Sequence, residues 1–338
     1  MKVHITNVYG AIGTWAKAQN EVARIARDGL RYQELGIYHY SLKVDTPDTL
    51  RARLDGILAS VSFHDVVVIQ SPMWNDFAFD ERLMRLLSAY PGLKKVLFIH
   101  DVVPLMNEAW NGLLNRYIEH YNQADLLIVP SQAMADFLRT QGVTVEKMVI
   151  QRMWDSAVSV DKAVRPPFER VIHFAGDPNV AKFSFAKDWR YEDVRLAVTA
   201  EGGDWVQGKN ISFLGLFDND NLLANALRTS GGFGLLWSDD PYWREYLKKN
   251  ASYKLSTYLA AGIPVIVPSD IAEKDTVVRK NLGFAVESLD EAVERVREIS
   301  EDEYRELLDN VERFAGLLRG GYFTKKALTD AVFQLYCN

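Results

Sequence analysis

The chain has a single cysteine, Cys337, among 338 residues. That scarcity excludes an internal disulfide and any thiolate-held metal cluster, and it accords with a reducing, cytoplasmic setting. Positive charge is not in excess either: 39 Lys and Arg stand against 45 Asp and Glu, a formal net charge of −6. Without a basic run there is no footprint for nonspecific nucleic-acid binding, although a local basic pair still suffices for a phosphate. No stretch reaches the roughly 18 apolar residues of a membrane helix. The opening segment, Met1-Lys2-Val3-His4-Ile5-Thr6-Asn7, is too short for a signal-peptide core. What is present is an ordinary globular composition, 48% hydrophobic and 25% charged, over a length that suits about two domains.

Short apolar runs alternate with amphipathic segments along both halves. Strands are expected at 3–5, 35–40, 65–70, 95–99, 126–129 and 148–151, with helices after Thr14, at 48–59, 80–89, 109–122 and 131–140. Thr46-Pro47 has the form of a helix start, with a capping hydroxyl and proline at the first helical position. The pattern breaks between Met153 and Pro167, where Arg165-Pro166-Pro167 cannot lie inside a helix, and this reads as a linker. Strands then resume at 171–175, 194–199, 211–214, 232–236, 265–267 and 283–285. Helices are expected at 221–229, 251–261, 270–281, 290–299 and 301–317, with a closing one at 324–335. Such alternation implies two α/β domains, each a doubly wound parallel sheet: residues 1–156, joined by a C-terminal helix within 318–338, and residues 168–317. Ligands of paired doubly wound domains are expected in the crevice at the carboxyl ends of the strands, facing a central cleft.

The densest signal is Ser252-Tyr253-Lys254-Leu255-Ser256-Thr257-Tyr258-Leu259-Ala260-Ala261-Gly262-Ile263-Pro264-Val265-Ile266-Val267. It reads as a helix stopped by glycine, barred from continuing by proline, and followed by a buried strand. A lysine on the first turn of such a helix acts on the same anion as the backbone N–H groups, so phosphate is the natural ligand. An ordinary helix–strand unit is the competing reading. The lysine before Ala-Ala-Gly-x-Pro-Val resembles the donor-binding helix of GT-B glycosyltransferases.

Other candidates sit where strands end. Gly10 and Gly13 permit close backbone approach, and Thr14 offers a capping hydroxyl, but the spacing departs from the dinucleotide fingerprint. His100-Asp101 follows a buried strand: Asp101, or His100 oriented by it, is positioned to take a proton from an attacking hydroxyl. The alternative is a turn-capping aspartate beside a core histidine. Ser71, Trp74 and Asn75 combine an aromatic face with polar groups, as a sugar platform does, unless Trp74 is structural. His173-Phe174-Ala175-Gly176 leaves the first strand of the second half, and Lys182 follows in a loop, there to share a diphosphate with Lys254 or to be a solvated surface lysine. Ser238-Asp239-Asp240 suits a turn or a ribose contact better than Mg²⁺.

Taken together, Thr6-Asn7 with Gly10, Glu34-Leu35-Gly36-Ile37-Tyr38, the segment from Phe98 through His100-Asp101-Val102-Val103-Pro104-Leu105-Met106, Gly231-Gly232-Phe233-Gly234-Leu235, Ser252-Tyr253-Lys254-Leu255 and the Ala260–Val267 run resemble the second-step glucosyltransferases of serine-rich-repeat adhesin glycosylation in Gram-positive bacteria. The resemblance implies a GT-B fold of two Rossmann-like domains, a UDP-glucose donor, no metal or other cofactor, and a homo-oligomer, a tetramer. It implies glucose transfer onto N-acetylglucosamine O-linked to Ser or Thr of the adhesin. Under it, Gly13, Thr14, Gly176, Lys182, Leu216, Ser252, Tyr253 and Lys254 form the UDP-binding set, Asp101 and His100 the catalytic pair, and Ser71, Trp74 and Asn75 the acceptor contacts. A relative carries arginine in place of Lys182 and an aromatic near Leu216, and many retaining GT-B enzymes carry glutamate where Thr257 stands. Alternatives are UDP-N-acetylglucosamine as donor, a UDP-sugar epimerase, and a non-catalytic GT-B subunit.

Overall fold

A computed structural model describes residues 1–178, 180–203 and 206–337, and for 181 and 182 the backbone alone. The chain divides into two compact units, Met1–Arg152 with Phe323–Asn338, and Met153–Tyr322.

The first unit runs β1 (Val3–Tyr9), α1 (Thr14–Leu30), β2 (Gln33–Tyr38), α2 (Pro47–Ile57), β3 (Val66–Ser71), α3 (Phe77–Leu87), β4 (Lys94–Ile99), α4 (Leu114–Tyr121), β5 (Leu126–Val129), α5 (Gln132–Thr140) and β6 (Met148–Ile150). Its six strands are all parallel, in the order β2-β1-β3-β4-β5-β6. Every residue of β3 and β5 is buried, as expected of a sheet covered on both faces. Thr46 caps α2 by accepting the Thr49 N–H, with Pro47 opening the helix, and Ser131 caps α5 through the Met134 N–H. The helix expected over 109–122 divides into a 3₁₀ stretch, Glu108–Leu113, and α4. Gly112, a poor helix former, sits just before the change. The last helix, Tyr322–Cys337, belongs to this unit from Phe323 on; it accepts the Tyr32 hydroxyl at the Leu328 carbonyl (3.2 Å) and the Lys147 ammonium at the Gln334 carbonyl (2.6 Å).

The second unit runs β7 (Val171–Phe174), β8 (Arg195–Val198), β9 (Ile211–Phe213), α6 (Asp220–Ser230), β10 (Phe233–Leu235), α7 (Pro241–Leu247), α8 (Tyr253–Ala261), β11 (Val265–Pro268), α9 (Lys274–Arg279), β12 (Gly283–Val286), α10 (Leu289–Glu298) and α11 (Glu301–Arg319). Its parallel sheet is ordered β12-β11-β10-β7-β8-β9. The sheet and its helices close over Phe174, Trp189, Phe233, Leu235 and Tyr304. A full capping box, Ser300 with Glu303, starts α11. Sequence reading missed α7, yet its signal is that of α2: Asp240 accepts the Trp243 N–H and Pro241 opens the helix. The segment expected as a linker carries no helix or strand but is stitched to this unit. The Trp154 indole donates to the Ala251 carbonyl (2.9 Å), and the Ser159 N–H donates to the Asn221 side chain (2.7 Å).

Candidate functional site

In the first unit the winding reverses between β1 and β3, second and third in the sheet, and the strand ends there carry a buried polar network. Gln70 is the only amide in the buried run of β3. Its Nε2 donates to the Thr6 carbonyl (2.6 Å) and the Gln19 carbonyl (3.1 Å). Both amide protons are therefore spent on carbonyls, and Oε1 is left to accept from His100 Nε2 (2.8 Å). The Gln19 amide in turn donates to the Pro72 carbonyl (2.7 Å), and the His100 N–H donates to the Ser71 carbonyl (2.8 Å). This arrangement assigns the His100 proton to Nε2. Burial depresses its pKa to about 3, so the ring is neutral over the working range and a weak proton acceptor. Asp101 lies one residue beyond, partly exposed, and is the carboxylate of the pair at the strand end.

Three part-exposed rings gather at the same edge. Trp15, on the first turn of α1, lies 5.6 Å from Trp74 and 5.7 Å from His39 between ring centroids. Trp74 takes a left-handed backbone, φ 59, a costly state for a bulky residue. Its indole N–H and the Ser71 hydroxyl are buried without a hydrogen-bond partner among the described residues. Asn75 is committed locally: Oδ1 accepts from His39 Nδ1 (3.0 Å) and from the Tyr40 N–H (3.2 Å), and Nδ2 donates to the Tyr38 carbonyl (3.3 Å). Gly13 (φ 106), not Thr14, is the N-cap of α1; Thr14 is the first helical residue and is exposed. The close approach that Gly10 permits is to the Tyr38 ring, which a Cβ there would meet at 2.5 Å.

In the second unit the winding reverses between β7 and β10. Lys254 stands on the first turn of α8 beside this point, its helix opened by Ser252 without a side-chain cap. Its ammonium lies 4.7 Å from the Phe183 ring centroid and 5.9 Å from that of Phe174, the last residue of β7. The helix is held in place by Tyr258, whose hydroxyl accepts the Ala175 N–H (2.6 Å) and donates to the Leu235 carbonyl (3.2 Å). A Cβ at Gly234 would meet the Tyr258 ring at 2.2 Å, so glycine is required there. Gly262 ends α8 in the left-handed region, φ 90. Gly176 lies against Lys254: a Cβ there would come within 3.4 Å of Lys254 Cε. Ser252 and Tyr253 sit at the same helix start, and the Thr257 hydroxyl donates back to the Tyr253 carbonyl. Leu216 lies just past β9 and is two-thirds exposed, 66%. The Lys182 side chain falls outside the described residues.

The remaining motif residues are structural. His173 donates from Nε2 to the Gly231 carbonyl (2.9 Å) and is kept neutral by burial, its pKa pushed down to about 4. Asp239, an exposed residue, accepts from the Trp237 indole (3.2 Å), and partial desolvation raises its pKa. Sequence reading missed Gln70, the Phe174–Phe183 pair and Tyr258. The one local signal among them was an amide interrupting the apolar run Val66-Val67-Val68-Ile69.

The model of the glucosyltransferase 3-like N-terminal domain matches residues 2–153, and that of the C-terminal domain matches residues 172–331. The chain is similar to glucosyltransferase 3 of Streptococcus parasanguinis, with 42% identity over 344 residues covering all of both chains. To glucosyltransferase 3 of Streptococcus gordonii it is 40% identical over 343 residues, covering 99% of each. Among solved structures, HepE of Anabaena in complex with UDP and glucose aligns with a TM-score of 0.66 at 12% identity, covering 99% of this chain and all of that one. That likeness concerns the fold, which is GT-B with two Rossmann-like units.

Proposed function

The chain belongs to the glucosyltransferase 3-like family, and from that premise we propose that it moves glucose from UDP-glucose onto N-acetylglucosamine O-linked to Ser or Thr of a serine-rich-repeat adhesin. The enzyme class is a UDP-sugar-dependent hexosyltransferase, specifically a glucosyltransferase. Support for the donor half comes from one observation above the rest: a lysine on an uncapped helix start at the topological switch point of the second unit. HepE, of the same fold, is recorded with UDP and glucose.

The reaction breaks the bond between the glucose anomeric carbon and the β-phosphate oxygen, and forms one from that carbon to an acceptor hydroxyl oxygen. The hydroxyl proton leaves to a base and UDP departs. Negative charge grows on the departing diphosphate, so a cation held beside it lowers the barrier directly. Lys254 takes that role, joined by Lys182, with Gly176, Ser252 and Tyr253 allowing backbone approach, Leu216 facing the nucleoside, and Gly13 and Thr14 completing the UDP set. Asp101 is the better base of its pair, because burial leaves His100 with a pKa of about 3. Trp74 with Trp15 offers the acceptor ring an aromatic face, with Ser71 and Asn75 beside it. The reading further includes catalysis without a metal, a homotetramer and a cytoplasmic setting. No helix among the described residues is long and apolar enough to cross a membrane.

The test is a panel of UDP-sugars offered with a peptide bearing N-acetylglucosamine on serine, read by mass. A hexose increment from UDP-glucose alone is expected. An N-acetylhexosamine increment would replace the donor assignment, and no increment from any donor would refute the acceptor.

A further inference from the structure

A lysine side chain is long and rich in rotamers, so an unsupported ammonium is a poor fixed point for an anion. Lys254 is supported. Its stem passes Gly176, and its ammonium stands over Phe183 at 4.7 Å and near Phe174 at 5.9 Å. The rings themselves are braced: Phe174 meets Phe183 and Phe185 edge to face, each at 4.9 Å, and all three are buried. Phe183 sits at the kink, φ −124 and ψ 24, that interrupts the 3₁₀ stretch Ala181–Asp188. A cation over an aromatic face is attracted by the ring quadrupole, and more strongly where water is scarce.

We propose that Phe183, backed by Phe174, is a positioning residue that holds the Lys254 ammonium in place for the donor diphosphate before the donor arrives. The inference rests on the reading of Lys254 as a diphosphate ligand. Its physical content is preorganisation: the rotamer cost is met in the free enzyme, so less is lost on binding. A merely apolar neighbour would fill the same space without attracting the charge.

The experiment uses the full chain and four variants: Phe183→Leu, Phe183→Tyr, Lys254→Ala and the double variant Phe183→Leu/Lys254→Ala. UDP and UDP-glucose affinities are measured by calorimetry, kcat and KM by product formation, and folding by circular dichroism. Phe183→Leu is expected to weaken UDP-glucose binding about three- to tenfold and to raise KM with kcat nearly unchanged. Phe183→Tyr, which keeps a ring, is expected to restore binding. In the Lys254→Ala background, Phe183→Leu is expected to change nothing further. An equal loss in both backgrounds would overturn the proposal, because Phe183 would then act without the lysine. UDP binding untouched by Lys254→Ala would overturn the diphosphate reading itself, and this proposal with it.

Discussion

The two units share a six-stranded parallel sheet and a winding reversal between two inner strands, yet they furnish their strand ends in opposite ways. At the reversal of the first unit the buried groups are neutral, and the Asp101 carboxylate lies a residue beyond them. Gln70, Gln19 and a neutral His100 form a buried network with the Thr6 and Pro72 carbonyls. At the reversal of the second unit a cation is presented on a helix start, over aromatic rings. A buried network of neutral groups orients the strand ends, but it offers little to an anion. A supported ammonium beside helical N–H groups is built for one. On the proposed reading of Lys254, the same fold position serves stability and orientation in one half and electrostatic binding in the other.

Four substitutions and one condition probe that contrast. Lys254→Ala should cost the most, lowering kcat/KM for UDP-glucose about a hundred- to a thousandfold with the fold retained. Near-normal turnover would remove the distinction between the halves. Gln70→Leu should act on stability instead. It strips partners from the Thr6 carbonyl, the Gln19 carbonyl and His100 Nε2, three buried groups at about 1–1.5 kcal/mol each, so a loss of about 3–5 kcal/mol is expected in denaturant unfolding. UDP affinity should be unchanged, and a parallel fall in it would blur the comparison.

Asp80, buried on α3, accepts from the Met73 N–H (3.2 Å), and burial pushes its pKa up to about 7. A raised carboxyl binds its proton more tightly folded than unfolded, so its contribution is most favourable below pH 3.8 and is lost as the pH rises through 7. Asp80→Asn should therefore stabilise the chain at pH 8, by on the order of 2–4 kcal/mol, and do little at pH 3.5. A thermal midpoint that shifts equally at both would show that the carboxyl is paired.

His120, buried on α4, has neither ring nitrogen hydrogen-bonded among the described residues and a pKa depressed to about 4 by burial. The unfolded state binds more protons between pH 6.5 and 4, so stability falls as the pH drops through that window. His120→Leu should add about 2 kcal/mol at pH 5 and close to nothing from this cause at pH 8. Thermal melts at the two pH values check the sign. Smallest of all, adding EDTA should leave transfer unchanged, and lost turnover restored by Mg²⁺ would mean that lysine alone does not neutralise the leaving group.

Much of the architecture is legible from local rules. Thr46-Pro47 and Ser131 mark helix starts that the fold bears out with capping bonds, and Gly262-Ile263-Pro264 marks a helix end. Asp240-Pro241 carried the same signal as Thr46-Pro47 and went unread because a paired carboxylate invites a metal or ribose reading. The candidate lysine of α8 was legible because its cue lies within one helix and the strand after it. The aromatic support under it was not, since Phe174 and Phe183 are 80 and 71 positions away from Lys254 in the chain.

From the amino-acid order alone come the βα alternation, the starts and stops of most helices, and the placing of one lysine on the first turn of α8. These follow from backbone sterics, capping and side-chain period, which act over a few residues. Tertiary structure alone chose which strands lie side by side and so where each winding reverses. It also put a proton on His100 Nε2 and set a ring beneath Lys254. Such choices come from pairings tens of residues apart, where the energy resides in buried contacts and satisfied polar groups rather than in any local preference.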